Sequence, residues 1–463
     1  MKLFSPNTYI NRRSTLKTGI EGSGVLLFLG NEEASINFKD NWYHYRQDST
    51  FLYYFGLSMP GIHALIDLDS GEEIIFGDDL TIDQIVWTGA QPKMAELGAK
   101  VGIDKIQSIS SMSRYVTNRK VHYLPGYRAD HTLFLSKLLK GTRGEIEKGS
   151  SSRFLKAVIL QRSIKTTEEI TTLHEAASLT SKMHLMLMQS ARAGLKEFEM
   201  VALAQKVAMD HEAQLSFQPI VTTNGQTLHN HFYGNTLKSG DLLLCDLGAE
   251  SSLLYAGDMT RTFPVDRTFT TKQKELYDVV YRAHQIAIRT LRPGIHFLDI
   301  HLLAAQTLVQ GLSEIGLMKG DPGAAVAAGA HTMFFQCGLG HMLGLDVHDM
   351  ENLGEEYVGY HENLIKSTQF GLKSLRLGKA LEVGYVVTVE PGIYIIPELI
   401  DMNKSSGKYI DFINYDLLEK YRHFGGIRVE DDFVITPEGA TLLGTPLAAS
   451  SDEIEFIRQA ALS

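Results

Sequence analysis

The sequence predicts two domains: an α/β unit built on a mixed sheet, then a larger α/β or α+β unit in which capped helices alternate with apolar strands. Three observations predict this. A chain of 463 residues exceeds what one ordinary hydrophobic core organises. Residues 1–155 carry short apolar runs broken by turn residues, whereas 156–463 interleave helical and strand-like periodicities. Between them lies a polar, Gly/Ser-rich stretch, Lys140–Ser152, of the composition that joins domains.

Taken in order, Val25–Leu29 reads as a buried strand. From His63 to Gly77, two apolar runs flank Asp69-Ser70-Gly71, a hairpin signal, and Val121–Leu124 is a further strand. Thr166-Thr167-Glu168-Glu169 fits a capping box, in which the Thr oxygen accepts one free N–H and the Glu satisfies another. Ile170, Leu173 and Ala177 follow at helical spacing, with Gly194 as the expected stop. A second helix carries Leu276, Val280, Ala283 and Ala287 and ends at Pro293-Gly294. A third carries Ile300, Leu303, Ala304 and Leu308 and ends near Gly316. Strand-like runs occupy Leu242–Cys245, Leu253–Tyr255, Tyr385–Val389 and Ile427–Val429.

Composition narrows the function classes. Hydrophobic residues at 44% and charged residues at 21% are those of a globular protein. A net charge of −10, with no basic patch interleaved with aromatics, argues against nucleic acid or an anionic membrane as partner. No run approaches the roughly 18 apolar residues of a membrane span. The N-terminus lacks the pattern of a secretory signal, and two cysteines make neither a disulfide framework nor a zinc pattern, so a cytoplasmic enzyme is expected.

Five separated residues carry the chemistry: Asp246 in LLLCDLG, Asp258 in YAGDMTRTF, His341 in GLGHMLGLDVHD, Glu390 in VTVEPGIY and Glu430 in GGIRVEDDF. Singly, each has a structural explanation. Asp258 can be a strand-end acid paired with Arg261, Glu390 a turn cap before Pro391-Gly392, and His341 a satisfied core histidine. Together, four carboxylates at the ends of apolar runs imply cations, because burying such charges without partners costs several kcal/mol each. A hairpin joining Asp246 to Asp258, twelve positions on, would bring both to one point. No HExxH and no GxSxG occurs, which sets aside a thermolysin-like zinc site and a serine elbow.

These five segments resemble the pita-bread metallopeptidases, and among them the proline-specific exopeptidases, aminopeptidase P and prolidase. The resemblance implies a curved antiparallel sheet backed by helices (an α+β, creatinase/aminopeptidase-like catalytic domain). It implies two divalent cations, Mn²⁺ first with Co²⁺ or Zn²⁺ as replacements, and a bridging water used as hydroxide. Asp246 would bind one cation and His341 and Glu390 the other, with Asp258 and Glu430 between them and Glu390 taking the proton of the water. His229 and His348 match histidines that contact the substrate carbonyl; a ligand-orienting part for His348 stays open. Arg428 would lie on the same strand face as Glu430 and fix its carboxylate. The spacing from Asp246 to Asp258 is one residue longer than usual, which lengthens the turn or makes a bulge. Cys337 stands where the family commonly has histidine, and altered rate, pH profile or preference is expected rather than loss of activity.

The segment from Tyr45 to Gly56 (YRQDSTFLYYFG) is similar to the domain that precedes the catalytic one in aminopeptidase P and prolidase. That implies short peptides with proline second as substrates, and a homodimer or homotetramer. The N-terminal wording (FGDDLTIDQIVWTG, AELGAKVGIDK) favours the aminopeptidase. Arg376, similar to a prolidase arginine that binds a dipeptide carboxylate, and the insert ending DFINYDLLEKYRHFGGIRVED (through Asp431) favour the dipeptidase; Arg376 as an ordinary surface arginine remains the alternative. A non-catalytic pita-bread binding protein, or metal-free creatinase-like hydrolysis, would be expected to lack ligands that are all present here.

Overall fold

In the computed structural model, which describes residues 2–463, the apolar run predicted first becomes strand β1 (Val25–Leu29). It pairs antiparallel with β2 (His63–Asp67), which turns into β3 (Glu73–Phe76) through the expected hairpin. Asp67 closes that turn by accepting from the amides of Asp69 (2.9 Å) and Ser70 (3.4 Å), the side-chain mimicry of a backbone turn typical of aspartate. Strands β4 (Ile106–Gln107) and β5 (Val121–His122) add in parallel at the two edges, giving the order β4-β3-β2-β1-β5 and hence a mixed sheet. Val25, Leu27, Leu65, Ile74 and Phe76 on this sheet, with Met112, Val116 and Leu135 from covering elements, form its core.

The chain divides into two compact units: one runs to Arg162 and includes Met350–Tyr357, the other comprises Ser163–Asp349 and Val358–Ser463. The polar stretch Lys140–Ser152 belongs to the first, where Thr142 and Glu145 form a capping box for the helix Arg143–Lys148.

In the second unit Thr166 and Glu169 build the capping box read from the sequence, opening the helix Thr167–Ser190. This helix stops before Gly194, because Arg192 folds back and donates to the carbonyls of Gln189 (2.7 Å) and Ala191 (2.8 Å). The helices Thr271–Thr290 and Phe297–Glu314 bury the predicted stripes Leu276/Val280/Ala283/Ala287 and Ile300/Ala304/Leu308, while Leu303 of the second stripe is only half-buried. The strands are β6 (Ile220–Thr222), β7 (Leu242–Leu247), β8 (Met259–Pro264), β9 (Val386–Val389), β10 (Gly392–Tyr394), β11 (Gly426–Arg428), β12 (Asp431–Thr436) and β13 (Gly439–Leu442). They pair antiparallel as β6-β7-β8, β13-β12-β9 and β10-β11. Reciprocal backbone bonds between Thr260 and Glu430 (3.0 and 3.4 Å) join β8 to the β11–β12 junction, so every strand end that matters meets at one place.

One expected strand is absent. Leu253–Tyr255 is a turn: Leu254 has φ +65°, the Ser251 amide donates to the Tyr255 carbonyl (2.8 Å), and the Tyr255 amide to the Ser251 hydroxyl (3.1 Å). The apolar run misled because it is a turn that buries only Tyr255 and leaves Leu253 and Leu254 half-buried, without a ladder. Among the described residues no helix is long and apolar enough to cross a membrane.

Candidate metal centre

Asp246 lies near the end of β7, opposite Ile220 on β6 and Thr260 on β8. Asp258 immediately precedes β8, and its amide donates to Asp432 (3.0 Å). The hairpin between them closes tightly: a Cβ on Gly248 would stand 1.7 Å from the Gly257 carbonyl oxygen, so only glycine lets the two carboxylates converge. His341 reaches the site from a segment laid along β9, with Thr388 donating its amide to the His341 carbonyl (3.1 Å). Glu390 follows β9 directly and is tied by its amide to the Leu339 carbonyl (2.7 Å).

Ligand atoms of Asp258, His341 and Glu430, all buried, lie within 4.8 Å of one another. His341 Nε2 is 3.3 Å from Asp258 Oδ2 and 3.6 Å from Glu390 Oε1. Its Nδ1 donates to the Met342 carbonyl (3.0 Å), which in the neutral ring turns the Nε2 lone pair toward the carboxylates. Thr260 Oγ1 donates to Glu430 (2.7 Å) and accepts from Arg428 Nε (3.0 Å). Arg428 also donates to the Tyr394 hydroxyl (2.8 Å) and, through Nη2, to Asp246.

The charges do not balance. Burial pushes the Asp246 carboxyl up to about 6, with Arg428 pulling it down and Asp258 pushing it further up. Burial likewise pushes Glu390 up to about 7, against the pull of His341 and Arg428. Glu430 is raised well above the usual range, by burial first and then by Asp258, Glu390 and Asp246. At His341 burial alone would lower the pKa, but the Asp258 hydrogen bond and the field of Glu390 outweigh it and hold it high. Asp258 Oδ1 is buried with no hydrogen-bond partner. Hard oxygen donors with one imidazole, in excess of the positive charge around them, fit divalent cations.

This geometry has a pH consequence. Protons on Asp246, Glu390, Glu430 and His341 must leave before a cation binds. Their raised pKa values therefore weaken binding as pH falls through about 7 and 6. The rise in melting temperature produced by added Mn²⁺ is expected to be much larger near pH 8 than near pH 5.5, since each released proton costs about tenfold in affinity per pH unit. Differential scanning calorimetry with and without Mn²⁺ measures it, and equal rises at both pH values would contradict the charge accounting.

The other sequence-selected residues sit as follows. The His348 ring packs edge-on against His341, with centroids 4.4 Å apart. His229 is exposed, in the turn region that follows β6. Arg376 is half-buried, and the residue before it, Leu375, presses on Gly338, where a Cβ would come within 2.9 Å of its Cα. Cys337 lies with its sulfur 3.8 Å from the Tyr394 hydroxyl, and burial, then Glu390, pushes its thiol up to about 12. Arg428 departs from expectation: it grips Asp246, while Thr260, standing between them, serves Glu430. Arg261 pairs with Asp431 (2.7 Å) instead of Asp258. Three site residues escaped the sequence reading: Thr260, Tyr394 and Asp432. Strand alternation offered a signal for two of them, since Thr260 is two positions from Asp258 and Asp432 two from Glu430.

Antiparallel strands whose ends carry four carboxylates, with one histidine from a segment laid along β9, define a metal-dependent hydrolase. The family model for metallopeptidase family M24 matches residues 171–437, and the chain belongs to that family, with its pita-bread fold. The model for the aminopeptidase P N-terminal domain matches residues 9–123. The Xaa-Pro dipeptidase of Homo sapiens is 30% identical over 446 residues, covering 94% of this chain and 89% of that protein. The Xaa-Pro aminopeptidase of Escherichia coli (strain K12) is 30% identical over 478 residues, covering 100% of this chain and 99% of that one. A solved structure of Zn-substituted E. coli aminopeptidase P in complex with product superposes with a TM-score of 0.82 at 28% identity, over 99% of each chain.

Proposed function

We infer that this chain is a Xaa-Pro aminopeptidase, a metal-dependent exopeptidase that releases the N-terminal residue from short peptides with proline second. The observation that carries the reading is the convergence of Asp258, His341 and Glu430 within 4.8 Å, with Glu390 3.6 Å from His341. Similarity over the full length to the E. coli aminopeptidase supports it. Asp246, Asp258, His341, Glu390 and Glu430 would hold two divalent cations, Mn²⁺ first, because oxygen donors dominate the set. When bound, the cations supply Lewis acidity that polarises the scissile carbonyl and lowers the pKa of water toward neutrality.

The chain's own groups do the rest. Glu390, 3.6 Å from His341, accepts the proton of the attacking water and returns it to the proline nitrogen as the bond breaks. His348 and His229 donate to the carbonyl oxygen as charge develops there, which lowers the barrier more than it tightens the substrate. Arg428 holds Asp246 and Thr260 holds Glu430, so neither carboxylate swings during the reaction. Proline in second position offers a tertiary amide without N–H, and the reading needs no amide donor. Both cysteines are free, which suits action in the reducing cytoplasm. A homodimer or homotetramer is supported by the exposed Ile82, Val86 and Trp87 on the helix Ile82–Thr88.

Arg376 favours a second reading, Xaa-Pro dipeptidase. Its half-buried position beside the segment leading to His341 suits a bidentate grip on the carboxylate of a dipeptide. Hydrolysis of Ala-Pro and Ala-Pro-Ala by metal-stripped protein resupplied with Mn²⁺ separates the two. Release of alanine from the tripeptide is expected; cleavage of the dipeptide alone would make it a dipeptidase, and cleavage of neither would defeat both readings.

A further inference from the structure

The helix Glu197–Met209 begins with a glutamate that is fully buried yet meets no cation among the described residues. All its partners come from the two ends of one loop. Glu197 Oε1 accepts from the Thr223 amide (2.7 Å) and the Thr223 hydroxyl (3.2 Å). Oε2 accepts from the Asn235 amide (3.2 Å), and the Asn235 side-chain nitrogen donates to both oxygens (3.0 Å each). The loop closed in this way, residues 223–235, carries His229.

Two further contacts seat the loop against the centre. Asn230, next to His229, donates its side-chain amide to Thr222 Oγ1 (2.9 Å) at the end of β6, the strand whose Ile220 lies opposite Asp246. Gly225 lies flush on β11, the strand of Arg428: a Cβ there would come 2.5 Å from the Gly426 carbonyl oxygen. A loop of this length held only by its chain ends would sample many conformers. A buried carboxylate is an acceptor only, so it can draw in every N–H and O–H presented to it at once. The helix N-terminus beneath it makes the negative charge tolerable.

We propose that Glu197 is a positioning residue, a carboxylate clamp that closes the 223–235 loop and so fixes His229 for substrate binding. The proposal rests on the assignment of His229 to substrate binding made above. Glu197→Gln keeps the shape but replaces one acceptor with a donor, which faces the Thr223 or Asn235 N–H groups and opens one end of the loop.

The test compares Glu197→Gln, His229→Ala and the double variant in Mn²⁺-loaded full-length protein. Glu197→Gln is expected to lower kcat/KM on proline peptides by roughly 10- to 100-fold while retaining the Mn²⁺-induced rise in melting temperature. The double variant is expected to be no slower than His229→Ala alone. Additive losses, or loss of the Mn²⁺ response, would overturn the clamp. Amide hydrogen exchange gives a reading independent of activity: residues 223–235 should exchange faster in Glu197→Gln, and unchanged exchange overturns the proposal. If the parent protein cleaves no proline peptide, the function reading fails while the exchange result still decides the clamp. Should Glu197→Gln fail to fold, Glu197→Asp, too short to reach both ends, is expected to give the same coupled loss and faster exchange, and parent-like values would overturn it.

Discussion

Replacing Glu430 by glutamine is expected to abolish catalysis while leaving the metal-free protein at least as stable as the parent. Glu430 is buried among Asp246, Asp258 and Glu390, and burial and these neighbours raise its pKa well above the usual range. A carboxyl raised in the folded state holds its proton more tightly there than in the unfolded chain. Its stabilising contribution is therefore complete at low pH and is lost as pH rises. Near pH 8 the metal-free parent carries this burden; the neutral amide does not, and it still offers an oxygen to the Thr260 hydroxyl. The same substitution removes a ligand atom from the cluster with Asp258 and His341. Losing metal-assisted stabilisation of several kcal/mol corresponds to a fall of about a thousandfold or more in kcat/KM. Two measurements decide it: peptide hydrolysis with Mn²⁺, and melting temperature near pH 8 with and without the metal. Retained activity, or a retained Mn²⁺ response, would remove Glu430 from the ligand set. A site that is unstable until its cation arrives is the usual cost of preorganised charge.

The largest effect on stability is expected from Asp349→Ala. Asp349 and Lys165 form a 2.8 Å ion pair with side chains 2% and 1% exposed. Lys165 is also held through its amide to the Gly384 carbonyl (2.8 Å), so it cannot follow its charge out to water without disturbing that contact. Removing the carboxylate strands a buried ammonium, which costs about 3–5 kcal/mol. The damage reaches the site, because Asp349 follows His348 and its amide bonds the Met342 carbonyl (2.9 Å), one residue past His341. The paired replacement Asp349→Leu with Lys165→Met should recover most of the loss, since the desolvation of both charges disappears together. Urea unfolding followed by fluorescence and circular dichroism tests this. An unchanged midpoint for Asp349→Ala would mean that water already reaches the pair.

Local chemistry made much of the molecule legible in advance. The Asp69-Ser70-Gly71 hairpin, the capping box at Thr166 and Glu169, and the buried stripes of the two central helices need only neighbours within a few residues. The apolar runs around Asp246, Glu390 and Glu430 likewise announce strands whose ends carry acids. Cβ crowding at Gly248 is the same kind of information, a requirement written into one residue type. By contrast, nothing local distinguishes the apolar Leu253–Tyr255 turn from a strand, because a short apolar run looks the same in one dimension whether or not a ladder forms.

By itself, then, the sequence determined the two-part organisation, the α/β character of the first part, and which acids and histidine are candidates for cation binding. The tertiary structure decided who holds whom: that Arg428 grips Asp246, that Thr260 serves Glu430, that Arg261 turns to Asp431, and that Glu197 closes the loop of His229. The reason is physical. Capping, turn and periodicity signals act over a few bonds, whereas the partner of a buried polar group is whatever donor or acceptor the strand register brings within about 3 Å. That register is set by packing across the strands, and a shift of one residue would send Thr260, Arg261 and Arg428 to the other face.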